Sequence, residues 1–219
     1  MKRSTVFYLA AFWCLLVPGL LRAQSIQIMP MAGYQFPAGI DVQYNDGSSQ
    51  FFETARLRIK GAGNYGLGLH ISLPLQGVSV SASFTNMRSE LTIDTRFEPE
   101  EKLFDANQEY WMFGILKEVE VQDGLFPFGG FILGWNTVRP QESQYQNATK
   151  FSVGLEGGVK YFLNDVVGIM VHARLLLPVQ WFGAGFSMGT GGTGAGLTTG
   201  SSIIQGDIGG GIVIAFNRQ

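Results

Sequence analysis

Tyr65-Gly66-Leu67-Gly68-Leu69-His70-Ile71-Ser72-Leu73 alternates without a break. Tyr65, Leu67, Leu69, Ile71 and Leu73 share one parity, and Gly66, Gly68, His70 and Ser72 share the other. A period of two is the period of a strand, whose successive side chains point to opposite faces. What each face carries decides more. Large apolar groups fill one face, while glycine, serine and a titratable group fill the other. A soluble barrel packs its large apolar groups inside. Here the small, polar face suits a narrow interior, and the apolar face is expected to meet lipid.

The same rhythm recurs along the chain. A first strand over about 26–36 sets Ile26, Ile28, Ala32, Tyr34 and Phe36 against Gln27, Gly33 and Gln35. The pattern continues weakly to a turn signal at Asn45-Asp46-Gly47 and resumes from Phe51 into the opening stretch. So tall a hairpin would overshoot a membrane, which places 37–62 outside it. A third strand alternates Val78, Val80, Ala82 and Phe84 with Ser79, Ser81, Ser83 and Thr85, and a parity slip after Asn86 predicts a bulge. Polar, acidic 95–107 reads as a loop. The fourth strand has Trp111, Phe113, Ile115, Val119 and Val121 opposite Tyr110, Gly114, Glu118 and Glu120; the fifth has Phe131, Leu133 and Trp135 opposite Gly130, Ile132 and Gly134. Loop 139–149 follows. The sixth strand sets Phe151, Val153, Leu155, Val159 and Tyr161 against Ser152, Gly154, Glu156, Gly158 and Lys160. The seventh sets Val167, Ile169, Val171, Ala173, Leu175 and Leu177 against Gly168, His172 and Arg174. After a glycine-rich loop (183–200), the last strand sets Ile208, Ile212, Ile214 and Phe216 against Asp207, Gly209, Gly211 and Val213. That makes eight strands with connections alternately long and short, as in an all-β, antiparallel, up-and-down transmembrane β-barrel with short periplasmic turns.

The N-terminus reads as a secretory signal peptide over 1–23. Lys2 and Arg3 are followed by an apolar run from Val6 to Val17, and Leu21-Arg22-Ala23 offers a cleavage site. The barrel domain would then be 24–219. The single cysteine, Cys14, lies in the leader, so disulfides and thiolate chemistry are not expected in the mature chain. Removing Lys2, Arg3 and Arg22 leaves twelve bases against 17 acids, with no basic stripe for nucleic acid. Past the leader no apolar run is long enough for a membrane helix.

Ten residues at roughly 3.4 Å each, tilted about 40°, span about 26 Å, which matches the apolar band of an outer membrane. Aromatic residues gather near the strand ends: Tyr34, Phe36, Tyr65, Trp111, Trp135 and Phe151 toward the exterior, Phe126, Tyr161 and Phe216 toward the periplasm. Lys117 falls on the apolar parity, but close to an interface, where a lysine costs roughly 0–1 kcal/mol. A soluble lipocalin-type barrel is the competing architecture. Gly66, Gly68, Gly154, Gly158, Gly209 and Gly211 argue against it, because that face is too small for a charged soluble exterior.

With these features the chain resembles the small outer-membrane β-barrel proteins exemplified by the OmpA transmembrane domain. The leader, the eight amphipathic segments and the final strand from Gly206 to Phe216 carry the resemblance, which covers nearly all of the mature chain. It implies residence in the bacterial outer membrane, outer-membrane lipid as the surroundings, and insertion by the barrel-insertion machinery. That family ends on an aromatic residue, whereas here Asn217-Arg218-Gln219 follow Phe216.

The inward parity gathers His70, Glu118, Glu120, Glu156, Lys160, His172, Arg174 and Asp207. Charges in so narrow a lumen must pair, and Arg174 and Asp207 lie on neighbouring strands. A salt-bridged plug is the expectation. No His-x-x-His spacing points to a metal, and no catalytic group or cofactor site is expected. Gly61-Ala62-Gly63-Asn64-Tyr65-Gly66 matches G-x-G-x-x-G but runs into a strand, where a dinucleotide site needs a helix. The functional expectation is a non-enzymatic barrel with an envelope or surface role through loops 37–62, 95–107, 139–149 and 179–201, meeting any partner there. A narrow pore or transport accessory is the alternative, and a lipid-modifying enzyme is the third.

Overall fold

The computed structural model describes residues 25–44, 53–95, 100–142, 147–179 and 204–217. All regular structure among them is strand: β1 Ser25–Gln35, β2 Ala38–Tyr44, β3 Glu53–Ile59, β4 Ala62–Ser72, β5 Val78–Thr95, β6 Glu101–Glu118, β7 Leu125–Pro140, β8 Ala148–Phe162, β9 Val167–Val179 and β10 Gln205–Phe216. The expected leader over 1–23, the expected turn at Asn45-Asp46-Gly47 and the 183–200 stretch lie outside the described residues. Every pairing is antiparallel. Around the ring β1 pairs with β4, β4 with β5, and so on through β10, which returns to β1. The result is the expected closed eight-stranded barrel. Ten segments give eight staves because β2 and β3 are upward continuations of β1 and β4, interrupted at Phe36-Pro37 and Lys60-Gly61. Proline has no N–H to give a ladder and glycine weakens one, so both breaks fall where the sequence allows them.

Closure satisfies the backbone, and the alternation then sorts the side chains. Phe131, Ile115, Val171 and Ile212 are 76, 66, 58 and 53% exposed on the outer wall, whereas Val213, Ser152 and Lys160 are fully enclosed in the lumen. So large a continuous apolar girdle would be unfavourable in water and is at home in lipid. Aromatic pairs ring the wall toward the end where β2 and β3 stand (the hairpin end). Phe84 and Trp111 lie 4.7 Å apart, Phe113 and Trp135 5.7 Å, and Tyr34 and Phe36 5.9 Å. At the opposite, turn end Lys117 faces outward and donates from Nζ to the Gln76 carbonyl, so its charge has a local partner. Phe126 turns inward there and stacks edge-on against Phe162.

Three boundaries depart from the sequence reading. Residues 101–107 are not loop: β5 runs to Thr95, β6 begins at Glu101, and Thr92 and Ile93 pair with Lys102 and Glu101, while 96–99 lie outside the described residues. Beyond the girdle the outer face meets water, so charges replace apolar residues while the inner face keeps Leu91, Phe104 and Ala106 buried. The bulge expected after Asn86 is absent. Register is continuous from Val78 to Leu91 and shifts between Leu91 and Thr92. The fourth stave ends at Glu118, and 119–124 form a turn closed by Val121 N–H to Leu125 O at 3.1 Å, with Gly124 at φ +74°. Val119 and Val121 therefore belong to the turn, as does Glu120.

Close approach also fixes glycine at 134. A Cβ there would overlap the Trp111 carbonyl oxygen and stand 2.9 Å from Met112 Cα, both backbone atoms. Gly134→Ala is expected to force β6 and β7 apart at the cost of about 1–3 kcal/mol. Leu155→Arg, which puts a guanidinium at mid-wall, should cost about 2–4 kcal/mol, while Glu101→Gln beyond the girdle should change stability by less than about 0.5 kcal/mol. Urea unfolding from lipid vesicles, followed by tryptophan fluorescence, measures all three.

Candidate functional site: the barrel lumen

Inward parity on five staves brings seven of the eight titratable residues singled out in the sequence into the lumen. His70 comes from β4, Glu118 from β6, Glu156 and Lys160 from β8, His172 and Arg174 from β9, and Asp207 from β10. Glu120 does not join them. It lies exposed in the 119–124 turn, because the strand period stops at Glu118.

Toward the turn end, Lys160 is the hub. Its Nζ lies 2.6 Å from Glu118 Oε1, 2.7 Å from Gln27 Oε1 and 2.9 Å from His70 Nδ1. An ammonium has three hydrogens and no lone pair, so these three acceptors use all of them. His70 Nδ1 is thus an acceptor, its ring proton sits on Nε2, and its 3.4 Å contact with Glu118 is not a hydrogen bond. Glu118 accepts a further bond from Ser79 Oγ at 3.0 Å. Phe128 closes the group, with Lys160 Nζ 5.1 Å from its centroid and His70 edge-on at 5.9 Å.

Toward the hairpin end, Arg174 and Asp207 are cross-strand partners. Arg174 Nε lies 3.0 Å from both carboxylate oxygens and Nη2 lies 2.9 Å from Oδ2, a forked, charge-assisted pair with both side chains enclosed. His172 Nε2 stands 3.7 Å from Asp207 Oδ1. Glu156 faces Arg174 across β8–β9 and sits four residues before Lys160 on the same strand, between the two charge groups. Above them lies an uncharged layer. Gln108 Nε2 donates to Tyr110 Oη at 2.7 Å, Gln35 Nε2 to the same oxygen at 3.3 Å, and Tyr110 Oη to Gln205 Oε1.

Sequence reasoning singled out neither this amide layer nor the apolar layer of Met29, Met31, Met112, Leu116, Ile132, Met170 and Val213. Inward parity was the signal for both. Gln108 was hidden by its place at the edge of the polar stretch expected to be a loop, and the apolar residues by a reading that contrasted small with large. At the turn end the lumen opens into a cavity of about 580 Å3, lined among others by Ser25, Gln27, Ser79, Glu118 and Phe126. Among the described residues no three His, Cys, Asp or Glu side chains converge as a metal centre.

Solved structures share this closed ring. Crystallised OprG, an outer membrane protein of Pseudomonas aeruginosa, superposes with a TM-score of 0.64 at 13% identity, covering 89% of this chain and 97% of that one. The fold is that of the small outer-membrane β-barrels. Neisserial surface protein A superposes at 0.52 with 11% identity, over 87% of this chain and 97% of its own. No family model matches the chain, and no curated protein sequence does.

Removing one partner of an enclosed pair leaves a bare charge. Asp207→Leu should destabilise the barrel by about 3–5 kcal/mol, and combining it with Arg174→Leu should recover most of that loss. Urea unfolding of the single and double variants in vesicles tests the pair.

Proposed function

We propose that this chain is an integral protein of a Gram-negative outer membrane, exported by a leader over 1–23. Its barrel is a closed anchor, and its hairpin end is the working surface. In this reading the role is non-enzymatic: envelope integrity, or contact with a surface partner. The barrel-insertion machinery would receive it through the last strand, Gln205–Phe216, whose outward Ile208, Ile212 and Phe216 face lipid.

The contrast between the two ends supports this most. At the turn end the described connections are short, spanning only 73–77, 119–124 and 163–166. At the other end β2, β3 and the upper parts of β5 and β6 stand beyond the girdle around a second small core of Leu57, Leu91, Phe104 and Ala106. Its outer face alternates in charge, with Lys102 2.8 Å from Asp105, Lys60 3.4 Å from Glu90 and Arg58 3.7 Å from Asp94. Thr92 Oγ1 donates to Glu100 at 2.6 Å and holds that carboxyl below its ordinary range, while the bond to Asp105 raises the Lys102 ammonium. Such a surface, charged and carried on paired strands, is suited to recognition. The names of OprG, an outer membrane protein, and of the neisserial surface protein agree with this placement.

A narrow pore is the second reading. The cavity at the turn end and enclosed polar atoms without hydrogen-bond partners among the described residues, such as Asn136 Oδ1 and Ser152 Oγ, favour it.

The protein should fractionate with the outer membrane and migrate differently on gels with and without boiling. Replacing 38–59 by a short turn should leave that heat shift intact and abolish the envelope or adhesion phenotype. Planar bilayers should stay silent, and overexpression should leave the lipid A profile unchanged. Steady conductance altered by Glu156→Gln would establish the pore instead. A changed lipid A profile would establish an enzyme, and solubility without detergent would overturn the membrane reading.

A further inference from the structure

At the turn end side chains stop short of filling the lumen, and the cavity of about 580 Å3 left there has two unlike walls. On one side stand Ser25, Ser72 and Ser79, successive cross-strand partners on β1, β4 and β5, with the Gln27 amide two residues deeper on β1. On the other stand Phe126 of β7 and Phe162, the last residue of β8. In the ring of eight, β7 lies diametrically opposite β1, and β8 opposite β4. Hydroxyls and an amide therefore face phenyl rings across one space.

Phe126 is out of the usual place for an aromatic residue at a membrane interface, which is the outer wall. Tyr161 and Phe216 take that place at this end. Phe126 instead turns its partly buried ring into the mouth, edge-on to Phe162 at 5.7 Å. Apolar surface held against water is unfavourable until something covers it. A second observation comes from Ser25, which is only 6% exposed. Its Oγ is enclosed and has no hydrogen-bond partner among the described residues. Buried hydroxyls are nearly always bonded, so this one calls for a partner.

Charge around the cavity is balanced. Glu118 lies 2.6 Å from the Lys160 ammonium and accepts from Ser79 Oγ at 3.0 Å. Lys117 and Glu120, one of each sign, stand exposed at the rim. Lys117 donates to the Gln76 carbonyl, and Glu120 accepts from Gly124 N–H at 3.4 Å.

We propose that the turn-end cavity binds a neutral saccharide of about two pyranose rings, a size suited to small-molecule sites of roughly 300–1,000 Å3. A pyranose carries hydroxyls around its edge and C–H groups on its faces. Ser25, Ser72 and Gln27 meet the hydroxyls, and Phe126 covers a C–H face while being covered itself. A charged ligand would find no unmatched counter-charge to offset its desolvation. The inference rests on the membrane reading above for the source alone: with the turns in the periplasm, the ligand is a neutral glycan of that compartment.

The test uses the chain as exported, extracted from membranes in dodecylphosphocholine, a detergent without sugar. The gel shift checks the fold and the membrane reading, and sugar binding is measured separately. In saturation-transfer NMR, the barrel should pass saturation to the ring C–H protons of cellobiose or N,N′-diacetylchitobiose. Ser25→Ala and Phe126→Leu should each weaken that binding by roughly three- to tenfold. Ser72→Phe, which fills the cavity, should abolish it, and Thr137→Ala at the hairpin end should leave it unchanged. Should Ser72→Phe not fold, Gln76→Trp on the overhanging turn should block the same mouth. Transfer to neither sugar, equal transfer in the folded cavity-blocking variant, or binding of putrescine in place of both sugars overturns the proposal.

Discussion

Lipid offers no partner to a backbone N–H or C=O, and the rest of this structure follows from that deficit. Each unsatisfied group in hydrocarbon costs several kcal/mol, so strands can cross only if the sheet has no edge. Pairing β5 with β6 and β10 with β1 removes the edges that a meander of the same strands would leave. Once the ring is closed, side-chain direction ceases to be free. Every residue inside the girdle belongs to the wall or the lumen, and a shift of one residue would exchange them. The alternation of Leu, Ile and Phe with Gly and charge is the sequence's way of holding one register. Where the girdle ends the requirement lapses, and charged residues enter the outer parity of β3, β5 and β6.

Eight staves leave a lumen only as wide as the side chains that fill it. Charges placed there have little water to turn to, and they meet one another instead. The Lys160 group spans the lumen, drawing acceptors from β1, β4 and β6, none of them a neighbour of β8 in the ring. Such a cross-brace couples distant staves in a way that the ladders cannot. The Arg174–Asp207 pair joins adjacent strands and adds to a ladder already formed. The first arrangement resists collapse or ovalisation of the ring, while the second pins one register. Both keep charge enclosed without leaving it bare.

The staves were legible because a two-residue period with contrasting faces is the mark of a strand between two different media. Legibility failed where the physics changed. From Arg88 to Asn107 the strands leave the hydrocarbon, the hydrophobic contrast fades, and a strand with charged residues on its outer face looks like a polar loop. Glu120 was misplaced for a related reason. Parity continues in a written sequence after the strand has ended, and only the turn closed by Leu125 shows where counting must stop. Adjacency of Arg174 and Asp207 follows from neighbouring strands. The company of Lys160 does not, because contacts across the lumen depend on barrel shear, which alternation does not encode. The methionines escaped notice because they are apolar residues on the small, polar parity.

Those methionines depend on how the lumen wall is built. Gly33, Gly66, Gly68, Gly154, Gly158, Gly209 and Gly211 stand on the inward parity of β1, β4, β8 and β10. A wall of glycine lets side chains from other staves lie flat against backbone, as His172 does over Gly209 and Phe128 over Gly158. Long, unbranched methionines suit the same space, since they bend around a ring or an amide where a branched chain would clash. Small residues on some staves thus make room for reaching residues on others.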